Sequence, residues 1–301
     1  QHIEEAGVHS GDSACVIPPH SLPPAVVERI KEQTRALALK LEVKGLMNAQ
    51  FAIKDAEPGG EPVVYVLEAN PRASRTVPFV SKAIGVPLAK KAALIMVGRT
   101  LNDLGLFDEI TPKHFSVKES VFPFNKFAGV DIILGPEMKS TGEVMGMDAD
   151  LGLAYAKSQM AAGGALPTQG NLFISVHDAH KTNVVQIAQE FARLGFALFA
   201  TEGTAMTLKA AGVGVTALFK LSEGRPNVLD MIKNGEIALI INTPSGKTPR
   251  ADEVRIRTTA LQHRVPIMTT LSGAAAAVQG IAALKKHGLS VRSLQEYHGK
   301  L

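Results

Sequence analysis

The sequence is poor in cysteine and in aromatic residues. Cys15 is the only cysteine among 301 residues, which excludes an intrachain disulfide and gives no indication of a thiolate-bound metal. Tryptophan is absent and aromatic residues make up 5% of the chain, so a base-stacking surface for nucleic acid is not indicated. No apolar run approaches the roughly 18 residues that would span a bilayer. We therefore expect a cytoplasmic protein that binds neither nucleic acid nor a membrane.

Charge and hydrophobic content are those of an ordinary globular protein. The formal net charge of +4 is modest, and lysine and arginine are scattered rather than massed in one stretch. A hydrophobic content of 46% in 301 residues is enough to bury the cores of two domains. The chain starts at Gln1 in what resembles the middle of a motif, so we expect a piece of a longer protein.

Two segments of alternating polarity predict an antiparallel hairpin in the first half of the chain. Its arms cover residues 45–54 and 63–70, with the turn at Pro58-Gly59-Gly60. Apolar residues share one face of the first arm, namely Met47, Ala49, Phe51 and Ile53. Strict alternation predicts one common face on the second arm for Val64, Val66, Glu68 and Asn70. Helices are predicted before the hairpin, at residues 24–41, and after it, at 77–83 and 88–97.

The hairpin register predicts a metal site. Gln50 and Glu68 lie at equal distances from Gly59 along the chain, so they face each other, as do Asn48 and Asn70. One carboxylate with amide oxygens suits Mg²⁺ or Mn²⁺, which also bind nucleotide phosphates. The predicted ligands are Gln50, Glu68 and Asn70. A polar face that only meets water stays open as the alternative.

The C-terminal half alternates short apolar runs with amphipathic stretches, which predicts a doubly wound parallel sheet. One of its helices is predicted over residues 182–194, ending at Gly195. The segment 161–169 is small and uncharged, as is typical of a linker. We therefore predict two domains, at residues 1–160 and 161–301.

Polar residues follow the predicted parallel strands, where open sheets bind their ligands. They are Lys181, Thr201, Thr204, Lys220, Asn242, Thr243, Thr269 and Thr270. Hydroxyls, amides, ammonium groups and helix N-termini together favour a phosphate. Ordinary helix caps and surface lysines stay open as the alternative for each residue alone.

Two superficially attractive motifs are rejected. Residues 245–248 end like a phosphate-binding P-loop, but Ile241 stands where the first glycine is required. His177 and His180 resemble a metal pair without a third ligand, so we predict that both are exposed to solvent.

Several longer stretches carry a family resemblance. The most specific is LEANPRASRTVPFVSK at residues 67–82, and the others are GVHSGDSA at 7–14, GLMNAQFA at 45–52, FPFNKF at 122–127 and LGPEMKSTGEVMG at 134–146. Together they resemble the ATP-grasp family, and within it the carbamate-phosphorylating half of the carbamoyl phosphate synthase large subunit. The C-terminal half resembles that subunit's methylglyoxal-synthase-like regulatory domain. The implied fold is the C-terminal part of an ATP-grasp domain, mixed α+β with an antiparallel sheet, followed by a doubly wound parallel-sheet domain.

The resemblance implies that ATP phosphorylates carbamate with the help of Mg²⁺ or Mn²⁺. It places the adenosine side of ATP at Gly7, Val8, His9 and Ser10, and the metal-bound phosphates at Gln50 and Glu68. Arg72 and Arg75 would bind carbamate or the transferring phosphoryl group, although either could instead form a structural salt bridge.

The resemblance also implies regulation and partners. UMP or IMP would be held by Lys181, Thr201, Thr204, Lys220, Asn242 and Thr243. Ornithine would be held by Glu4, Asp12, Glu119 and Thr269. The full-length subunit would bind a glutamine amidotransferase small subunit and form an oligomer.

The resemblance places the lid of the ATP site, and the first half of the large subunit, outside these 301 residues. We therefore expect little or no catalysis by this chain alone. A regulatory module without catalysis is the alternative. A methylglyoxal synthase fused to another domain is disfavoured, because the strand-end loops offer no catalytic carboxylate.

Overall fold

The computed structural model describes residues 1–54, 60–127, 129–244 and 251–299. Within these ranges the strands are β1 (Cys15–Ile17), β2 (Asn48–Lys54), β3 (Val63–Asn70), β4 (Phe115–Val121), β5 (Gly142–Asp148), β6 (Asn171–Ser175), β7 (Ala197–Thr201), β8 (Thr216–Leu218), β9 (Ile237–Asn242) and β10 (Ile267–Met268). The helices are α1 (Pro24–Lys40), α2 (Thr76–Ile84), α3 (Leu88–Met96), α4 (Leu151–Ala161), α5 (Val184–Arg193), α6 (Glu202–Ala210), α7 (Val228–Lys233), α8 (Ala251–Gln262), α9 (Leu271–His287) and α10 (Leu294–Tyr297). In the same ranges, no helix has both the length and the apolar composition needed to cross a membrane.

The chain packs into two compact units. The first contains Gln1, Val16–Phe115 and Val291–Leu301, and the second contains His2–Cys15 and Ser116–Ser290. These units differ from the predicted domains, because α4 crosses the predicted boundary between 160 and 161 and packs on α9 beyond it.

Glycines allow α4 and α9 to cross closely. A Cβ atom on Gly152 would lie 2.7 Å from the backbone oxygen of Gln279, and one on Gly280 would lie 2.9 Å from Leu166 Cδ1. Leu166 is buried, although it belongs to the segment predicted as a linker. This part of the predicted linker therefore belongs to the packed interior of the second unit.

In the first unit, the predicted helices are confirmed. Helix α1 begins at Pro24, whose fixed φ suits the first helical turn, and it packs on β3. Helix α2 ends at Gly85, which adopts a φ of 71°. The two helices after the hairpin lie within one residue of their predicted bounds at each end.

The hairpin forms in the predicted register at its polar end. Asn48 pairs with Asn70 and Gln50 with Glu68, but Phe51 pairs with Val66. One residue on β3 therefore has no partner, and it forms a β-bulge. The predicted turn residues Pro58 and Gly59 lie outside the described part of the chain.

The bulged residue is Leu67, and it corrects the predicted faces. It shifts the alternation of β3 by one residue, so Val64 and Val66 pair with the apolar Ile53 and Phe51. The prediction of one common face for Val64, Val66, Glu68 and Asn70 is therefore wrong. The bulge places Val64 and Val66 on the face opposite to Glu68 and Asn70, while Tyr65 and Val63 pair with Ala52 and Lys54 on the face of Gln50.

The second unit contains the predicted parallel sheet. Its five strands are all parallel, in the order β10-β9-β6-β7-β8. Helices α7 and α8 pack together on one face, where Ile232 of α7 is fully buried in one cluster with Phe173 and Ile240 of the sheet, while α5 and α9 pack together. Right-handed crossovers place these two pairs on opposite faces, which confirms the doubly wound architecture.

Strand order reverses between β6 and β9. From β6 the chain winds outward through β7 and β8, and it then returns to add β9 and β10 on the other side of β6. Ser175 of β6 and Asn242 of β9 are partners at this reversal. The carboxyl ends of these two strands therefore border the crevice where such sheets bind ligands. Separately, β4 and β5 are neighbours in a smaller sheet of the same unit, and Cys15 of β1 also belongs to that sheet.

Candidate functional site

The polar end of the hairpin presents oxygen atoms on one face. Glu68 is exposed, and its Oε1 accepts a hydrogen bond of 2.9 Å from Nδ2 of Asn70. Because that bond uses the amide nitrogen of Asn70, the carbonyl oxygen of the same group stays available as a ligand atom. Gln50 faces Glu68 across the strand pair. Such a hard-oxygen set fits Mg²⁺ or Mn²⁺.

The two predicted catalytic arginines follow directly after β3. The Arg72 amide donates to the carbonyl oxygen of Asn70 at 2.8 Å, which closes a tight turn through Pro71. The guanidinium of Arg72 is exposed and donates to its neighbour Ala73 O at 2.9 Å. Arg75 is half-buried at the N-cap position of α2. Both side chains therefore start within five residues of the polar strand end.

The predicted nucleotide loop at residues 7–10 belongs to the second unit. The amide of His9 donates to Gly135 O at 2.8 Å, and its imidazole Nδ1 accepts from the Gly11 amide at 3.0 Å. The His9 ring therefore stabilises its own turn and carries its proton, when neutral, on Nε2. Gly7 adopts a φ of 101°, a conformation that favours glycine.

A buried lysine that the sequence analysis missed supports this loop. Lys118 is 1% exposed, and its ammonium donates to the carbonyl oxygens of Ser10 and Gly11 at 3.4 and 3.2 Å. The signal was present, because alternation along β4 places Lys118 on the same face as Ser116 and Ser120, both of which are buried.

Two of the predicted ornithine residues, Glu4 and Glu119, form a half-buried acidic pair. Burial raises the pKa of Glu119 to about 7, and the nearby charge of Glu4 contributes to the rise. Burial also raises the pKa of Glu4. Gln159 Nε2 donates to Glu119 Oε2 at 2.5 Å, and Thr270 Oγ1 donates to Glu4 Oε2 at 3.4 Å. A cationic amine would relieve the repulsion within this pair.

The other two predicted ornithine residues are Asp12 and Thr269. Both carboxylate oxygens of Asp12 accept backbone amides, from Lys139 at 2.7 Å and from Ser140 at 3.1 Å. Asp12 therefore links its own loop to the backbone of residues 139–140. Thr270, rather than Thr269, contacts Glu4, and it also caps the N-terminus of α9. The sequence signal for Thr270 was its position directly before a long helical run.

Three of the predicted strand-end residues, Lys181, Thr201 and Thr204, lie at the first turn of α6. A Cβ atom on Gly203 would lie 2.8 Å from Lys181 Nζ, so this ammonium lies over the first turn of α6. Thr201 and Thr204 flank that turn, with their hydroxyl oxygens 3.4 Å apart. Backbone amides at a helix start and an ammonium group together favour an anion. Lys181 also pairs with Asp178 at 2.8 Å.

The end of β9 is held by hydrogen bonds. Thr243 Oγ1 accepts the His177 amide at 2.9 Å and lies 3.0 Å from Nδ1 of His180. Asn242 is buried and donates to Ser175 O at 3.0 Å. Lys220 is more distant in the fold, because it follows the edge strand β8, and it pairs with Glu223 at 3.0 Å.

Both histidines of the rejected metal pair are half-buried, so the prediction that they are exposed is wrong. Their ring centroids lie 5.8 Å apart, and His180 contacts the predicted effector residue Thr243. Across the described residues, no group of three or more histidine, cysteine or acidic side chains could hold a metal. Residues 245–248, which resemble a P-loop, lie outside the described part.

Two family models match the chain. The ATP-binding domain of the carbamoyl-phosphate synthase L chain matches residues 3–104. The MGS-like domain matches residues 183–269. The first match contains the hairpin and the loop at 7–10, and the second contains the ends of β7, β8 and β9.

Curated relatives match over nearly the whole chain. The carbamoyl phosphate synthase large chain of Rhodopirellula baltica (strain DSM 10527 / NCIMB 13988 / SH1) is 54% identical over 300 residues, which are 100% of this chain and 28% of that protein. The C-terminal section of the large chain of Aquifex aeolicus (strain VF5) is 53% identical, over 99% of this chain and 58% of that protein.

A third relative, the carbamoyl phosphate synthase large chain of Methanosarcina barkeri, is 52% identical over 302 residues, and the match covers 100% of this chain and 74% of that protein. The chain therefore spans 28% to 74% of the length of these three relatives. At this identity and coverage, the chain belongs to the carbamoyl phosphate synthase large-chain family.

Proposed function

We propose that this chain provides residues for the phosphorylation of carbamate by ATP, which yields carbamoyl phosphate and ADP, together with a nucleotide-effector site. The observation that carries the proposal is the polar end of the hairpin, where Gln50 faces Glu68 and Asn70 contacts Glu68. The bulge at Leu67 moves Val64 and Val66 to the opposite face from Glu68.

In this proposal, Gln50, Glu68 and Asn70 hold Mg²⁺ or Mn²⁺, which supplies positive charge to the nucleotide phosphates. The loop at 7–10 (Gly7, Val8, His9 and Ser10) binds the adenosine side of ATP. Arg72 and Arg75 orient carbamate or the transferring phosphoryl group through paired N–H groups. Phosphoryl transfer depends mainly on alignment and charge neutralisation, so these roles are the ones that the reaction requires.

The effector site is proposed at the strand ends of the second unit. A phosphate of UMP or IMP would lie at the first turn of α6, with Lys181, Thr201 and Thr204. Asn242 and Thr243 border the adjoining crevice, and Lys220 contacts the effector from the edge strand. The position of Lys181 over Gly203 is the observation that supports this site.

Ornithine is proposed to bind between Glu4 and Glu119, whose carboxylates would pair with its amines. Thr269 and Asp12 complete the proposed set. The raised pKa values of both glutamates support a cationic ligand, because bound positive charge would stabilise their ionised forms.

The reaction, compartment and partner of the full-length protein are proposed from its family. The full-length protein is a glutamine-dependent ligase of the cytoplasm, acts with a glutamine amidotransferase small subunit and forms an oligomer. The chain of 301 residues alone is proposed to be inactive.

Binding of Mn²⁺ with ATP tests the catalytic part of the proposal. We expect Glu68→Gln to weaken binding of Mn²⁺ in the presence of ATP by about tenfold or more, because the carboxylate is the only charged ligand. Titration followed by electron paramagnetic resonance of free Mn²⁺ measures this. Glu61→Gln is the matched control, because Glu61 is also exposed near the hairpin and pairs with Arg29 at 2.9 Å.

Equal affinity in the Glu68→Gln variant and the wild type would contradict the metal assignment.

The second candidate function is a regulatory module without catalysis, which the anion-binding geometry of Lys181 and α6 favours. Calorimetric binding of UMP or IMP, without binding of Mn²⁺ and ATP, would support that candidate instead.

A further inference from the structure

Arg257 of α8 is the largest fully buried side chain in the described ranges. Its guanidinium donates to three acceptor atoms, which belong to two residues. Nε and Nη2 donate to Asp131 Oδ1 and Oδ2, both at 2.6 Å, while Nη1 donates to Asn242 Oδ1 at 2.8 Å. Glu253 Oε2 lies 3.8 Å from Nη1. The guanidinium therefore bridges an aspartate and the end of β9 in one rigid plane.

Arg257 fixes what Asn242 presents to the strand-end crevice. A guanidinium has donors and no acceptor, so it must face the oxygen of the Asn242 amide. The other end of the same amide donates to Ser175 O at 3.0 Å. In the proposed effector site, the second N–H of this amide would donate to an acceptor oxygen of the ligand, such as that of a phosphate or a sugar.

Asp131 connects Arg257 to the loop at 7–10. Asp131 opens the segment 131–140, which is tied internally by Lys139 Nζ donating to Ile133 O at 2.7 Å. The same segment contacts the loop at 7–10 through the backbone hydrogen bond from His9 N to Gly135 O. It also contacts the nearby carboxylate of Asp12, which accepts from Lys139 N and Ser140 N.

We propose that Arg257 is a positioning residue that couples ligand binding at Asn242 to the position of the loop at 7–10, through Asp131 and the segment 131–140. The inference rests on the proposed functions of these two sites. Because the guanidinium is planar and bonded at both ends, a ligand that moves Asn242 moves Asp131 with it. Residues 131–140 then carry the movement to His9 and Asp12, which are bonded to this segment directly.

Hydrogen exchange on the 301-residue chain tests the coupling. In the wild type, saturation with UMP or IMP changes the protection of the His9, Lys139 and Ser140 amides by about fivefold or more, the lower range of allosteric coupling. Asp131→Asn loses this change, because an amide in place of the carboxylate cannot accept both guanidinium donors. It retains nucleotide binding, because Arg257 still contacts Asn242.

Arg255→Gln is the matched control. Arg255 lies on the same helix but is exposed, with its nearest acid Asp252 at 3.9 Å, so this variant keeps the wild-type response. Arg257→Lys is a second variant, which keeps the charge but cannot bridge Asp131 and Asn242 together, and it should behave like Asp131→Asn.

Two results would overturn the coupling: a bound nucleotide that leaves the three amides unchanged in the wild type, or a change that survives in Asp131→Asn. If calorimetry detects neither UMP nor IMP binding to the wild type, the proposed effector site fails. The ligand-free comparison then tests the remaining part of the proposal, that the contact between Arg257 and Asp131 positions the loop at 7–10. Faster exchange at His9 and Ser140 in Asp131→Asn than in Arg255→Gln supports it, and equal exchange rejects it.

Discussion

At the scale of single residues, the acidic pair of Glu4 and Glu119 is the most informative feature of the second unit. Two glutamates that are partly withdrawn from water rarely lie close together without a compensating cation. Here burial dominates the rise in both pKa values, so each carboxyl gains a proton more readily than in the unfolded chain. Stability should therefore depend on pH through these groups.

We expect Glu119→Gln to stabilise the chain at pH 8 but not near pH 4.5. The pKa of Glu119 is about 7 in the folded state against 4.5 without its environment, so the native state binds more protons than the unfolded state between these values. Stability therefore falls as pH rises from 4.5 to 7 and is level above 7. The variant removes this loss, worth about 3 kcal/mol.

Urea unfolding of the variant and the wild type at both pH values measures this difference. Glu137→Gln is the control, because Glu137 is exposed. A stability gain of equal size at pH 4.5 and pH 8 would refute the explanation by ionisation.

At the scale of secondary-structure elements, the hairpin separates what the sequence can predict from what it cannot. Equal spacing about a glycine-rich turn is enough to predict that Gln50 faces Glu68. The bulge is not predictable in this way, because Leu67 carries no glycine or other signal of an irregular strand. Only the pairing of Val66 with Phe51 reveals which residue is extra.

Deleting Leu67 tests the role of the bulge. Without the extra residue, either the two valines or Glu68 and Asn70 must change face, since side chains alternate along a strand. We expect Mn²⁺ binding in the presence of ATP to weaken by about tenfold, as for loss of a ligand. Leu67→Ala is the control, because it keeps the residue count and hence the register. Similar weakening in both variants would mean that the leucine side chain matters and the bulge does not.

The strand-end site shows a similar limit. Topology alone predicts that loops after parallel strands meet, and Lys181 does lie over the start of α6 as that rule suggests. The contact between Arg257 and Asp131 spans 126 positions and joins a helix to an irregular segment. No periodicity in the sequence marks such a pair, so it becomes visible only in the packed structure.

At the scale of the whole molecule, the C-terminal residues pack within the first unit. His298 Nε2 lies 2.7 Å from the carbonyl oxygen of Lys82, and the ring of His114 contacts those of Tyr297 and His298. His114 Nε2 itself lies 3.1 Å from Ala83 O. Two imidazoles therefore satisfy carbonyl groups at the C-terminal end of α2, which would otherwise lack partners.

Removing residues 291–301 should destabilise the end of α2. We expect a loss of about 1–3 kcal/mol in the local opening free energy, from one hydrogen bond and the aromatic contacts. Hydrogen exchange at the Gly85 amide, which donates to Ser81 O, measures it. Val291→Ser is the control, because that side chain is 96% exposed. Unchanged exchange in the shortened chain would show that the tail does not support α2.

The division of the chain into packed units limits how this region can be rearranged in evolution. Residues 2–15 and 116–290 form one unit, and 16–115 with 291–301 and Gln1 form the other, so the backbone passes from one to the other four times. A recombination event with a single breakpoint cannot exchange either unit whole between relatives. Regulatory properties should therefore be acquired by substitution within the chain, or by exchange of the entire region together.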